Sequence, residues 1–297
     1  MNIIEVYHRF PSHESCLKHL EKVRWNNRPA CPYCASIKST PMPNELRHHC
    51  NDCNTSYSVT VGTIFHKTKL DLQKWFLAIS LVLSAKKGLS ARQLGRDLEV
   101  TKDTAWYMGM RIRKAMSQIT DQRLLTGIVE MDETYVGGKP RKGNNDDENT
   151  PKHKRGRGTD KIPVVGMVER NGIVKAHVVK KGSLTKMKLS SLVRRNVDTK
   201  NTILMTDEYR GYLGIGKFME HKTINHQFWY VDGNIHANSI ESFWAILKCG
   251  IIGQYHKVSL EYLPKYIDEF CFRYNNRKNE NTDVWNLTIE KALGVCL

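Results

Sequence analysis

The sequence predicts an α/β protein in which a strand-rich C-terminal domain follows a small cysteine module and a helical region. Three observations carry the prediction. Two Cys-x-x-Cys pairs sit close together near the N-terminus. Apolar residues then recur at helical spacing as far as Met116. Beyond Thr126 the texture turns to short apolar runs that read as strands, followed by two long helical segments. The boundaries set by these shifts are 1–57 for a helical lead-in and the cysteine module, 58–120 for the helical region and 127–297 for the α/β domain.

The cysteine module comes first. Cys31-Pro-Tyr-Cys34 and Cys50-Asn-Asp-Cys53 are two knuckles with 15 residues between them. Each turn presents two thiolates, and four thiolates close a tetrahedral zinc site with no position left for water or substrate, so the expected Zn²⁺ is structural. Cys16, Cys249, Cys271 and Cys296 are scattered. A disulfide scaffold would be small and secreted; this chain of 297 residues is neither, and a reducing compartment fits better.

The helical region begins with Leu72, Phe76, Ile79 and Leu83 at helical spacing between Leu70 and Ala85. A helix-turn-helix reading follows over roughly Ser90 to Met116. Ser90 caps a first helix, Gly95 leaves room for a second helix to approach, and Glu99-Val100 makes the turn. Thr101 caps the second helix, whose inner stripe is Ala105, Met108, Ile112 and Ala115. Lys102, Asp103, Thr104, Tyr107, Arg111 and Lys114 then point outward, a polar and basic face suited to the DNA major groove.

In the C-terminal domain, strands are expected over Gly127–Tyr135, Ile162–Val168, Ile173–Val179 and Thr202–Thr206, with a helix over Leu184–Arg195 and two more over Asn238–Cys249 and Ser259–Asn275. The stretch from Gly137 to Lys161 is rich in Gly, Asn, Lys and Arg and reads as an insert or DNA-contacting loop. Asp132 lies in the first strand and Asp207 ends another. In the Asn238 helix, Asn238, Glu241, Ala245 and Lys248 share one face, while Ile240, Phe243, Trp244 and Leu247 form the apolar side. Glu130 lies on the same strand face as Asp132 and could share in metal binding; Glu133 points to the opposite face.

Charge agrees with a polyanionic partner. The net charge is +16, and residues 1–126 carry 19 Lys/Arg against 10 Asp/Glu, so the surplus is spread over both halves. No membrane span is expected, because the most apolar stretch, Trp75–Ala85, is short and broken by Ser80 and Ser84. Glu5, His8 and Arg9 stand where a signal peptide would be apolar.

Together these residues resemble the bacterial DDE-type insertion-sequence transposases of the ISXO-like, zinc-ribbon group, relatives of the Merlin transposons. The resemblance runs from about residue 14 to residue 280. It rests on the paired knuckles, Met131-Asp132-Glu133-Thr134-Tyr135-Val136-Gly137-Gly138-Lys139, Thr206-Asp207 and the block Asn238 to Lys248. It continues through Gly250-Ile-Ile-Gly253-x-Tyr255-His256 and Phe272-Arg273-Tyr274-Asn275. In such transposases a third acid follows the second by about 35 residues; here 33 residues separate Asp207 from Glu241, and Lys248 sits seven beyond it. The resemblance implies a ribonuclease-H-like catalytic domain behind a zinc ribbon and a helix-turn-helix. It implies Asp132, Asp207 and Glu241 as the catalytic acids holding Mg²⁺, with Mn²⁺ able to substitute, since carboxylates are the hard oxygen ligands these ions prefer. Lys248 would contact DNA phosphate, and Asn238 would orient Glu241 or bind DNA. The implied partners are terminal inverted repeats and target DNA, with a homodimer or higher multimer on DNA. The implied setting is a bacterial cytoplasm, associated with the nucleoid. The alternative is a catalytically silent DNA-binding regulator derived from such an enzyme.

Overall fold

The computed structural model describes residues 1–117, 123–137, 161–224 and 238–294. The expected insert therefore lies outside the described residues except at its ends, as does Cys296. The chain divides into two compact units, Met1–Thr120 with Asn276–Leu297, and Asp121–Asn275.

In the first unit, helix α1 (Ile3–Arg9) starts at an Asn2–Glu5 capping box and α2 (His13–Trp25) at Ser12. A three-stranded antiparallel sheet follows, β1 (Ser39–Met42), β2 (Arg47–Cys50) and β3 (Thr55–Tyr57). Its buried residues are few, chiefly Cys31, Cys50 and Tyr57, with Trp25 of α2 edge-on to Tyr57. Helices α3 (Leu72–Ser84), α4 (Ala91–Asp97) and α5 (Lys102–Ser117) complete the helical region. Asp71 caps α3 and Ser90 caps α4. Thr101 Oγ1 accepts the Thr104 N–H at 3.2 Å at the start of α5. Glu99 adopts φ 53°, the left-handed turn conformation usually given to glycine. At Gly95 a Cβ would lie 2.9 Å from the Val100 carbonyl oxygen, so glycine is what lets the turn fold back on α4.

One element corrects the expected domain of 127–297. Helix α9 (Asn281–Leu293) belongs to the first unit. The reason is Trp285, fully buried with its ring stacked on Phe10 at 5.7 Å and edge-on to Phe76 at 5.3 Å. The Ile64 N–H also donates to the Ala292 carbonyl at 3.1 Å.

The second unit is a five-stranded mixed sheet in the order β6-β5-β4-β7-β8. The strands are β4 (Leu125–Val136), β5 (Ile162–Glu169), β6 (Val174–Val178), β7 (Val197–Asp207) and β8 (Glu220–Ile224). β4, β5 and β6 form an antiparallel meander, and β7 and β8 run parallel to β4. Three antiparallel strands with two parallel strands added beside the first is the ribonuclease-H-like arrangement. Helix α6 (Lys186–Asn196) covers one face through Leu189, Leu192 and Val193 against Val129, Met131, Val165 and Leu204. Helices α7 (Asn238–Gly250) and α8 (Leu263–Asn275) cover the other through Ile240, Phe243, Trp244, Leu247, Ile267 and Phe270. The alternation along β4 and β5 divides the two cores, as a period of two requires.

Asn275 closes the sheet edge: its side chain accepts from the Val174 N–H at 2.7 Å and donates to the Val174 carbonyl at 3.1 Å. A π-helical turn, Ile251–Tyr255, extends α7, and Tyr255 donates to the buried Glu269, which also binds Arg273.

The packing of α7 on β5 depends on Gly166. A Cβ there would lie 2.6 Å from the buried Trp244 ring and 2.9 Å from Ile240. Gly166→Ala should therefore destabilise the protein by about 1–3 kcal/mol through overpacking. Denaturant unfolding that shows no loss would contradict this account of the interface.

Candidate catalytic centre and metal sites

Asp132 and Asp207 are brought together by strand pairing. Glu130 pairs with Met205 across the parallel β4 and β7, and each acid lies two residues further along its strand. Asp132 is partly buried, and Trp244 Nε1 donates to its Oδ2 at 3.0 Å. Burial, then the negative charges of Glu133 and Asp207, push the Asp132 carboxyl up to about 7, against the lowering effect of the Glu133 backbone and Trp244. Asp207 accepts the Tyr209 N–H at 3.1 Å, which fixes the end of β7. Glu133 faces the other side of the sheet and accepts the Tyr212 hydroxyl at 2.7 Å. Burial and then Glu133 hold that hydroxyl well above its ordinary value, so it remains a donor.

Glu241 is exposed in the first turn of α7, three residues before Trp244. Residues three apart on a helix are neighbours, so the contact of Trp244 with Asp132 carries Glu241 to the same end of the sheet. Asn238 and Lys248 are also exposed. The polar stripe thus lies at the surface, where its groups stay hydrated. Among the described residues, the four cysteines are the one group of three or more metal-ligating side chains close enough to hold a single ion. The three acids do not meet that standard. A desolvated Asp132 facing Asp207 with mainly neutral donors around it is nevertheless a donor set that suits a hard divalent cation.

The ribbon thiolates converge. Cys31 and Cys53 sulfurs lie 3.6 Å apart, Cys34 and Cys50 3.5 Å, and all four ligand atoms lie within 4.8 Å of one another. Bonds of about 2.3 Å to a tetrahedral zinc place sulfurs about 3.8 Å apart, so the cradle fits Zn²⁺. The backbone N–H groups of Cys53 and Asp52 favour the thiolate form of Cys50, the form a metal requires.

On α5, Lys102, Asp103 and Tyr107 are exposed, while Thr104 and Lys114 are half-buried. Arg111 departs from the outward placement expected of it. Its Nη1 donates to the Ile64 and His66 carbonyls at 2.5 and 2.9 Å, and the guanidinium lies 4.3 Å from the Tyr107 ring centroid. Two carbonyls needing a donor outweigh the exposed location suggested by helical spacing. The sequence reading also passed over Trp106, which is exposed beside Tyr107, and over the roles of Trp244, Arg170 and Tyr212. A buried Trp in an apolar stripe carries no local sign that its N–H has a carboxylate partner.

Two outcomes follow from this geometry. Purified protein should contain one zinc per chain and lose it on combined Cys31→Ser and Cys50→Ser substitution; metal analysis showing no zinc, or zinc retained by the variant, would refute the site. With the ribbon zinc retained and no Mg²⁺ added, Asp132→Asn should stabilise the protein at pH 8 by about 1–3 kcal/mol, because it removes a buried charge. The folded value of about 7 exceeds the ordinary 3.8, so the ionised carboxylate costs stability increasingly as pH rises from 3.8 to 7. The gain should shrink below pH 7 and vanish near the ordinary value. Equal unfolding midpoints at pH 8 would contradict it.

Comparison with known proteins agrees with the geometry. The ISXO2-like transposase domain matches residues 124–275, and the transposase zinc-ribbon domain matches residues 11–56. A protein of the transposable element ISH50 from the archaeon Halobacterium salinarum, itself uncharacterised, is 28% identical over 295 residues, covering 96% of this chain and 98% of that one. A chain of the pre-cleavage Mos1 transpososome is 13% identical with a TM-score of 0.32, covering 73% of this chain and 76% of that chain. A chain of the simian T-cell lymphotropic virus intasome in complex with PP2A regulatory subunit B56 gamma is also 13% identical with a TM-score of 0.32, covering 65% and 66%. Likeness at those scores carries no argument about fold or function. The domain match spans just over half of the chain and contains Asp132, Asp207 and Glu241, and the chain belongs to the ISXO2-like transposase family.

Proposed function

We propose that the protein is a DNA transposase that recognises the terminal repeats of its element, cuts DNA and joins it to a target. The observation that supports this best is the buried Asp132 beside Asp207 on adjacent parallel strands, with α7 fixed to the same carboxylate through Trp244. Asp132, Asp207 and Glu241 would hold the divalent cations. When bound there, Mg²⁺ or Mn²⁺ would supply neutralisation of the phosphodiester charge and activation of water or a 3′-hydroxyl. Trp244 would orient Asp132 through its hydrogen bond to one carboxylate oxygen. Lys248, two helical turns from Glu241, would contact a phosphate, and Asn238 would orient Glu241 or contact DNA.

The first unit would bind the element's ends. Lys102, Thr104 and Tyr107, with the N-terminus of α5, would meet the major groove, and Lys114 a phosphate. Arg111 would act indirectly, by holding the residue 64–66 turn against α5. A dimer or larger assembly on DNA fits an enzyme that must act on two ends. No helix among the described residues is long and apolar enough to cross a membrane.

Asp132→Asn and Asp207→Asn should abolish cleavage and joining while terminal-repeat binding stays intact, since an amide keeps the shape of the carboxylate but not the charge that holds a cation. Glu241→Gln should behave likewise. Cleavage of end DNA at the parental rate by Asp132→Asn in Mg²⁺ would overturn the proposal in favour of a DNA-binding regulator.

A further inference from the structure

Glu130 is a fully buried acid that the catalytic reading leaves unused. It sits on the face of β4 that carries Asp132 two residues later. Its Oε1 accepts from Arg170 Nε at 2.7 Å and from Ser239 Oγ at 3.2 Å. Its Oε2 accepts the backbone N–H groups of Ser239 and Ile240 at 2.8 and 3.1 Å. Those amides belong to the first turn of α7, where N–H groups have no acceptor within the helix and the helix dipole is positive. Arg170 is fixed in turn: its backbone N–H donates to Ile128 at 3.0 Å, and its Nη2 lies 3.2 Å from Met205 Sδ on β7.

Both oxygens of Glu130 therefore face donors, so the carboxylate is engaged with the helix and not directed at a cation, contrary to the sharing in metal binding that its strand face suggested. The effect on α7 is specific. Ser239 and Ile240 are tied to Glu130, and Trp244 is tied to Asp132. Glu241 lies between the two ties. One tie would let the helix roll or slide; two ties on the same strand fix both its rotation and its position along β4.

We propose that Glu130, supported by Arg170, is a positioning residue that sets α7 so that Glu241 meets Asp132 and Asp207. The proposal rests on the catalytic reading of those three acids. A misplacement of about 1 Å at a reacting centre lowers the rate on the order of 100-fold, so a small shift of α7 is sufficient to show.

The test uses full-length Glu130→Gln, the double variant Glu130→Gln/Arg170→Met and Asp132→Asn. Three properties are measured: amide hydrogen exchange of the zinc-loaded proteins without Mg²⁺, the KM for terminal-repeat DNA, and the maximal cleavage rate with its Mg²⁺ dependence. Glu130→Gln should speed exchange in the first turns of α7 while β4, β5 and β7 stay protected. Its maximal rate should fall roughly 100-fold, with KM for DNA unchanged within about twofold and a higher Mg²⁺ concentration needed for half-maximal rate. If Glu130→Gln does not fold, the double variant decides, because it leaves no unpaired buried charge. Parental exchange, rate and Mg²⁺ dependence alongside an inactive Asp132→Asn would overturn the positioning role alone. Exchange rising across the whole sheet, with rate and DNA affinity falling together, would also overturn it, since Glu130 would then only stabilise the domain. An active Asp132→Asn would instead remove the catalytic reading on which the role depends.

Discussion

The seating of α7 on β4 is the constraint on which the second unit's site depends. A helix laid across a sheet by apolar contacts alone is held at the right distance but weakly held in rotation, because hydrophobic attraction has no direction. Here the apolar face of Ile240, Phe243, Trp244 and Leu247 supplies the attraction. Hydrogen bonds from Trp244 to Asp132 and from the first turn to Glu130 supply the direction. Gly166 makes that seating possible, because only a residue without a side chain lets the indole ring lie against β5. Side chain, strand pairing and helix start are thus one assembly.

That assembly places its expense in an unusual position. The exposed stripe of Asn238, Glu241 and Lys248 costs little. The cost falls on Asp132, whose carboxyl is driven up by burial and by neighbouring acids. Glu130, although more deeply buried, has a cationic partner in Arg170 and the helix N-terminus. Two acids two residues apart on one strand face therefore differ in kind: one has a cationic partner and a helix start, and the other has the Trp244 indole and the Glu133 backbone as neutral donors, with like charges nearby. The charge of the second is the less compensated of the two. The same division appears in the first unit, where the ribbon has few buried apolar residues and four converging thiolates. A module of that size depends on its metal for stability.

Much of this was legible in the sequence because it is local. Strand alternation around Asp132, the helical stripe of α7, the knuckle spacing, and the Ser90 and Thr101 caps are all repeated or short-range signals, and the structure carries elements at each. The rest depends on partners distant in sequence. β8 is short and polar, and its strand character comes from pairing with β7. α9 has an ordinary helical pattern, but nothing local says that Trp285 packs with Phe10, far away at the other end of the chain. Strand Val197–Asp207 begins earlier than its apolar run because Val197 continues directly from α6 and pairs with Leu125. Arg111 has the spacing of a surface residue, and the carbonyls of Ile64 and His66 that claim it lie outside its own helix.

Glu130 shows most clearly why type and spacing identify a site without assigning each residue in it. Strand alternation places it beside Asp132, and residue type alone makes both of them metal ligands. What separates them is the supply of donors. Two backbone N–H groups at a helix start cannot be satisfied by the helix itself, and burial denies them water. A carboxylate within reach is drawn to them and to Arg170, and its lone pairs are then committed. Asp132 lies against α7 one turn further along, where the helix's backbone N–H groups are already bonded within it, so from α7 only a side-chain donor, the Trp244 indole, reaches it. The start of α7 thereby determines which acid of β4 becomes the helix's anchor.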